Sequence, residues 1–236
     1  GRAEALAAVD HPRAAGFASL NLDLMHGLPG QTVGEAMADV AGALDLAPEH
    51  VSWYQLTIEP NTAFAAAPPT LPDEDRLAAI QEEGLGRLAS AGLVHYEVSA
   101  HARPGFRCRH NLNYWQFGDY LGIGAGAHGK LTLADGAVQR RWKPRHPADY
   151  LATAGTAEGV AGTTVLGSAD LPIEFAMNAL RLAAGVPTAL YPRRTGLPVA
   201  TLAAGRERGL ALGLLDPDPG RLAPTDLGWR FLNRLI

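Results

Sequence analysis

From Leu20 onward the apolar residues Leu20, Leu22 and Leu24 alternate with Asn21, Asp23 and Met25, the two-residue period of a strand with one apolar face. Gly27-Leu28-Pro29-Gly30 breaks that pattern. Thr32 and Glu35 then stand at the spacing of a capping box: the hydroxyl takes a free amide of the first turn and the carboxylate reaches back. The pair predicts a helix from about Val33 to Leu46, stopped by Pro48. Val51 to Ile58 reads as a second strand and Asn61 to Thr70 as a Pro-rich loop. Pro72 to Ala91 reads as a helix with Leu77, Ile80, Leu85 and Leu88 on one face. Gly92 occupies the left-handed cap position, and Leu93 to Ala100 is a third strand.

Strands that alternate with helices of this length predict parallel β-α units, hence an α/β fold built as an open sheet or a barrel. This stretch is too short for a complete eight-fold barrel, which takes roughly 200 residues or more. A long loop from Arg103 to Asp119 leads to the short apolar piece Tyr120 to Ile123 and the run Gly124-Ala125-Gly126-Ala127. Past Leu166 the pattern changes. Helices over Ile173 to Ala184 and Leu202 to Leu212, a hairpin-like stretch from Leu214 to Pro224 around Asp218-Pro219-Gly220, and a last helix over Trp229 to Ile236 outline a small winged-helix-like module. The predicted division is therefore 1–165 and 166–236. The chain opens at Gly1 without a methionine and enters at once a helix-like stretch, Ala3 to Val9, so its start reads as a cut.

Composition narrows the function classes. The 236 residues are 47% hydrophobic and 19% charged, ordinary for a globular protein. A net charge of −4 supplies no pull toward nucleic acid, which needs a clustered basic surface. The single cysteine, Cys108, excludes an internal disulfide and any all-thiolate metal or cluster site within this chain. No apolar run reaches the roughly 18 to 20 residues that span a bilayer, and no signal segment opens the chain. The expected compartment is the cytoplasm, and the chain is not expected to be a membrane protein.

Chemistry-bearing residues gather at three places. Asp23 lies toward the carboxyl end of the first strand, where parallel sheets bind ligands, and periodicity leaves it equally a ligand acceptor or a brace for the next loop. The second strand offers Gln55, Thr57 and Glu59 in a similar position, and spacing favours mutual hydrogen bonding there over a ligand contact. The densest region runs from His95 to His128, where His95, His101, His110 and His128, four of the chain's 8 histidines, lie among Tyr114, Trp115 and Tyr120. In His110-Asn111-Leu112-Asn113-Tyr114-Trp115 the imidazole and phenol are iron-ligand types and the indole can stack on a flat macrocycle. A loop pinned by buried aromatics is the equally weighted alternative. The glycine run before His128 lacks the Lys and Ser of a phosphate loop; its small residues suit close backbone approach to a flat ligand.

Three strings together, Asn21 to Thr32 (NLDLMHGLPGQT), Trp53 to Thr62 (WYQLTIEPNT), and His110 to Trp115 with Gly118-Asp119-Tyr120, resemble the HemW-type haem chaperones of the radical-SAM, oxygen-independent coproporphyrinogen III oxidase-like family. The resemblance covers nearly the whole chain. It implies a partial six-stranded β/α barrel carrying a [4Fe–4S] cluster and S-adenosylmethionine, followed by a C-terminal domain, with this chain supplying the later strands and that domain. It also implies that Asp23, with Thr57 and His128, contacts S-adenosylmethionine, and that His110, Asn111 and Tyr114 contact haem. The family's cluster cysteines would precede Gly1, so this chain alone is expected to be inactive as an enzyme.

The implied function is haem binding and delivery to acceptor proteins, membrane-bound respiratory proteins among them. The competing reading is a radical-SAM coproporphyrinogen III oxidase that decarboxylates a porphyrin precursor. A third, non-catalytic reading makes the C-terminal module a docking surface through Arg193, Arg194, Arg206 and Arg208, which look exposed.

Overall fold

The computed structural model describes residues 2–232. It divides into two compact units, 1–108 and 109–236. In the first, helix α1 (Arg2–Ala14) precedes strand β1 (Asn21–His26), α2 (Val33–Leu44), β2 (His50–Gln55), the short α3 (Ala63–Ala66), α4 (Glu74–Ser90), β3 (Val94–Glu97) and β4 (Ala100–Ala102). The capping box is present: Thr32 Oγ1 accepts from the Glu35 amide at 3.2 Å and the Glu35 carboxylate accepts from the Thr32 amide at 2.8 Å. Hydrogen bonding to Thr32 holds the Glu35 pKa below its ordinary value. α4 starts two residues later than the pattern predicts because Asp73 caps it by accepting from Arg76 N. Gly92 has the predicted left-handed backbone, with φ of +80°.

The four-stranded sheet has the order β1-β2-β4-β3, and β1 and β2 are parallel. The third predicted strand differs from expectation. It turns back on itself at Val98-Ser99 and becomes the hairpin β3–β4, so the strand beside β2 is antiparallel to it. The Ser99 amide donates to the Glu97 carboxylate at 3.3 Å and secures that reversal. Val51, Trp53 and Leu24 on one sheet face pack with Ala36, Met37 and Val40 of α2 and Ile80 and Leu88 of α4. Burial of the Val, Leu, Ile and Met side chains among them contributes roughly 1.5–3 kcal/mol each and fixes which face of the sheet remains uncovered.

The second unit contains α5 (Arg109–Trp115), β5 (His128–Thr132), β6 (Val138–Trp142), α6 (Pro147–Thr153) and β7 (Gly162–Val165), then α7 (Leu171–Ala179), β8 (Val186–Pro187), α8 (Leu190–Thr195), α9 (Ala203–Ala211), β9 (Arg221–Leu222) and α10 (Asp226–Arg230). β5, β6 and β7 form an antiparallel three-stranded sheet that the hydrophobic pattern does not announce. Its β5–β6 turn carries Asp135-Gly136, with Gly136 at φ +87° and the Asp135 carboxylate accepting from the Ala137 amide. That dipeptide is the one local signal that could have found it. Likewise, α5 and α8 arise in stretches the pattern leaves without an element.

Around α7 the core is aromatic: Phe117 meets Phe175 at 5.7 Å and Phe175 meets Tyr191 at 5.1 Å, both edge-on. The predicted 214–224 hairpin exists as the bridge Leu215↔Pro224, but β9 pairs with β8. The predicted last helix runs into positions 233–236, outside the described residues; α10 is the described helix there.

Candidate functional site

Register places the first set of residues. Asp23 lies opposite Ser52, Asn21 opposite His50 and Met25 opposite Tyr54, and partnered residues share a sheet face. This face is the one turned away from α2 and α4, so Asn21, Asp23 and Met25, which alternate with the leucines of β1, lie opposite the apolar core. Asn21 and Asp23 are exposed, whereas His50 is buried.

A chain of hydrogen bonds crosses this face. The Asn21 amide donates to Asp23 Oδ1 at 2.8 Å. Asn21 Oδ1 accepts from Ser52 Oγ at 3.0 Å and meets His50 Nδ1 at 2.6 Å, while His50 Nε2 meets the Tyr96 hydroxyl at 2.8 Å. That hydroxyl accepts from the Cys108 amide at 3.2 Å. Burial lowers the His50 pKa and the Asp23 charge opposes the shift, so the ring is neutral at neutral pH. Asp23 Oδ2 takes no hydrogen bond from the described residues.

The turn after β1 is built by Gln31. Its Oε1 accepts from the amides of Gly27 at 2.9 Å and Leu28 at 3.3 Å, and its Nε2 donates to Asp39 at 3.2 Å. Gly27 has φ of +70°, a backbone that favours glycine, and a Cβ there would also push aside the tip of Leu77, whose Cδ2 lies 2.8 Å away. Sequence reasoning missed Gln31, His50 and Tyr96. Gln31 follows a recognised turn directly, but nothing local marks the other two.

Thr57 is exposed beyond the end of β2, its hydroxyl donating to Glu59 at 3.1 Å, so it does not share the register level of Asp23. His128 opens β5 in the other unit, exposed, with its ring 6.3 Å from Trp142 and nearly parallel to it.

The third string forms α5, although the pattern predicts a loop. His110 and Tyr114 are four residues apart on that helix and therefore share a side, with Asn111 a step round. His110 is exposed; Asn111 and Tyr114 are half-buried. Tyr114 packs on Trp115 at 4.9 Å and on Tyr120 at 5.1 Å. Burial, then the Tyr114 phenol, raises the Tyr120 pKa. Arg140 pairs with Glu174 of α7, and the Arg181 guanidinium sits 5.5 Å from the Trp115 ring. The helix end is pinned by Asn113, whose amide donates to the Asp119 carbonyl at 2.9 Å. A Cβ on Gly118 would lie 2.0 Å from Asn113 Oδ1, so that glycine lets the side chain pass.

Asp119 in turn takes the Nζ of buried Lys130 at 2.9 Å and both the amide and the hydroxyl of Thr132 at 2.9 Å. Burial lowers the Lys130 pKa against the opposing pull of Asp119. The ammonium also lies 4.2 Å above the Phe117 ring. Of the four arginines read as a docking surface, Arg193 and Arg208 are exposed. Arg206 is half-buried and donates to the carbonyls of Arg221 at 2.7 Å and Asp218 at 2.5 Å, so it is a clamp on that turn and not free surface. Among the described residues no group of three His, Cys, Asp or Glu side chains is arranged to hold a metal ion, and Cys108 is half-buried.

The chain matches the HemN C-terminal domain over residues 167–231. Its backbone follows a solved structure of coproporphyrinogen III oxidase (HemN) from Escherichia coli, a radical-SAM enzyme, with a TM-score of 0.74 at 19% identity, over 98% of this chain and 56% of that one. The chain is thus an α/β protein with the fold of part of the HemN radical-SAM scaffold, ending in its C-terminal domain. Sequence relatives narrow this. It is 45% identical over 234 residues to the haem chaperone HemW of Haemophilus influenzae and 45% identical over 221 residues to that of Escherichia coli. It is also 40% identical over 233 residues to that of Mycobacterium tuberculosis. The chain is a homologue of the HemW haem chaperones along nearly its whole length, and it spans 60% and 57% of the first two relatives. None of its described helices is long and apolar enough to cross a membrane.

Proposed function

We propose that the protein to which this chain belongs binds haem through α5 and hands it to acceptor proteins, membrane-bound respiratory proteins among them, from the cytoplasm. The observation that carries the reading is α5 itself. It presents the exposed imidazole of His110 one turn from the phenol of Tyr114, with Asn111 beside them, on a helix anchored at its other end by Asn113 and Trp115. An exposed imidazole is a suitable axial ligand for haem iron. Tyr114, engaged with Tyr120, supports the helix and lends its ring to the macrocycle. Titration of the chain with haemin is expected to give a shifted Soret band. His110→Ala should weaken binding by about tenfold, the loss of roughly one charge-assisted or ligand contact. An unaltered band and affinity in that variant would remove His110 from the site. Porphyrinogen decarboxylation by the full-length protein would favour the oxidase reading.

The same reading gives the uncovered face of the first sheet to S-adenosylmethionine. A carboxylate with an uncommitted oxygen suits a ribose diol, and Asp23 fits that requirement. Thr57 and His128 are assigned to the same cofactor on family likeness. When bound, that cofactor supplies a sulfonium open to reductive cleavage. The [4Fe–4S] cluster does not fit this chain, whose one cysteine cannot ligate it. The division into a barrel part, 1–165, and a C-terminal module, 166–236, belongs to this proposal and is supported by the family match from residue 167.

A further inference from the structure

We infer that Asn21, His50 and Tyr96 are positioning residues for the Asp23 carboxylate, forming a hydrogen-bond chain whose direction is fixed from end to end. The inference rests on the assignment of Asp23 to a ribose-bearing ligand. Donor and acceptor roles can be assigned one by one. Asp23 only accepts, so Asn21 must present its NH₂ to Asp23 Oδ1, at 2.8 Å. That orientation leaves Asn21 Oδ1 facing Ser52 Oγ and His50 Nδ1, and both must donate to it, at 3.0 and 2.6 Å. With its proton on Nδ1, neutral His50 accepts at Nε2 from the Tyr96 hydroxyl, at 2.8 Å. The Tyr96 oxygen is itself held by the Cys108 amide, at 3.2 Å. Once Asn21 donates to Asp23 every other link has one direction; a flipped Asn21 amide would set its oxygen against the Asp23 carboxylate and reverse the links behind it.

The two interior members are buried, His50 at 4% and Tyr96 at 3% exposure, whereas Asn21 and Asp23 are exposed. A buried support that ends on an exposed acceptor holds a carboxylate rotamer ready before ligand arrives, which lowers the ordering cost of binding. Asn21 sits on the face away from the helices and is not among the side chains packed around α2 and α4, so its hydrogen bonds are available to orient the carboxylate, while Tyr96 is also part of the buried core. The Arg107 guanidinium, 5.6 Å from the Tyr96 ring centre, helps hold the distal end.

The test measures affinity for S-adenosylhomocysteine by calorimetry on the whole chain, in the parent and in an Asp23→Asn background. Asn21→Leu should weaken binding by about tenfold in the parent and Tyr96→Phe by about threefold, since each removes support from a charged acceptor. Neither should weaken it further once Asp23→Asn is present, because the carboxylate they position is gone. Equal losses in both backgrounds would show a structural role and overturn the inference. Should Asp23→Asn weaken binding while Asn21→Leu and Tyr96→Phe leave it unchanged, the inference fails and the Asp23 assignment stands. Should Asp23→Asn bind like the parent, both fall. Tyr96→Phe keeps the test open if Asn21→Leu does not fold.

Discussion

Gly84→Ala is expected to destabilise the chain by about 2 kcal/mol, although the same change in an open helix would stabilise it by about 1 kcal/mol. Gly84 is buried in α4, and a Cβ there would lie 1.9 Å from Trp53 Cη2, 2.4 Å from Cζ2 and 2.6 Å from Cζ3. The indole has no retreat. It is 4% exposed, packs among Val51, Ile80 and Leu88, and has the His26 ring 4.3 Å from its own. Relief therefore requires α4 to move off the sheet, which forfeits contacts along the core. Gly86, two residues on in the same helix, is exposed with nothing within 4 Å of a Cβ, so Gly86→Ala should stabilise by up to about 1 kcal/mol. Urea denaturation of both variants checks this. Shifts of the same sign in the two would refute the account of the Trp53 contact.

The second large effect is a loss of stability on mild acidification, about 2–4 kcal/mol between pH 7.5 and pH 5. The cause is a set of histidines that the fold holds neutral. Burial pushes the His101 pKa down to about 3, assisted by the nearby His95 and His50 rings, and burial alone pushes His26 down to about 4. Neither His101 ring nitrogen nor His26 Nδ1 has a hydrogen-bond partner among the described residues. His101 instead stacks on His95 with ring centres 4.4 Å apart. The unfolded chain takes up these protons near pH 6.5, and the folded chain only near pH 3 to 4. Below pH 6.5 the unfolded state therefore binds more protons, and stability falls with pH at up to about 1.4 kcal/mol per unit for each ring. Lowered carboxylate values, such as that of Asp119, act in the same direction only below about pH 4.5, so the window above pH 5 belongs to histidine. Stability curves measured from pH 7.5 to 5 should show the fall, and His101→Gln should flatten it by roughly half. A level curve in the parent would contradict the burial of neutral rings.

Local pattern set much of the first unit. The alternation in β1, the Thr32 and Glu35 box, the amphipathic face of α4 and the left-handed Gly92 each rest on interactions within a few residues, and each occurs where the sequence puts it. The three quoted strings were enough to connect the chain with HemW homologues. What pattern could not show was pairing. The stretch 93–100 looks like one strand, and only the Val98-Ser99 reversal turns it into a hairpin that lays an antiparallel strand on β2. β6 reads as polar and basic, yet Arg140 and the neighbouring strands give it partners that no window on the sequence contains.

The candidate site divides in the same way. Sequence by itself determined which residues are available: Asp23 on a polar strand face, His110 and Tyr114 one helical turn apart once a helix forms, and a single cysteine that excludes a thiolate cluster in this chain. Tertiary structure decided their state. It brought His50 and Tyr96, from 27 and 73 residues beyond Asp23, into line behind Asn21, because only strand register brings such distant positions to one face. It also buried His26 and His101 as neutral rings, since desolvation is a property of the packed core and not of the residues beside them in the chain.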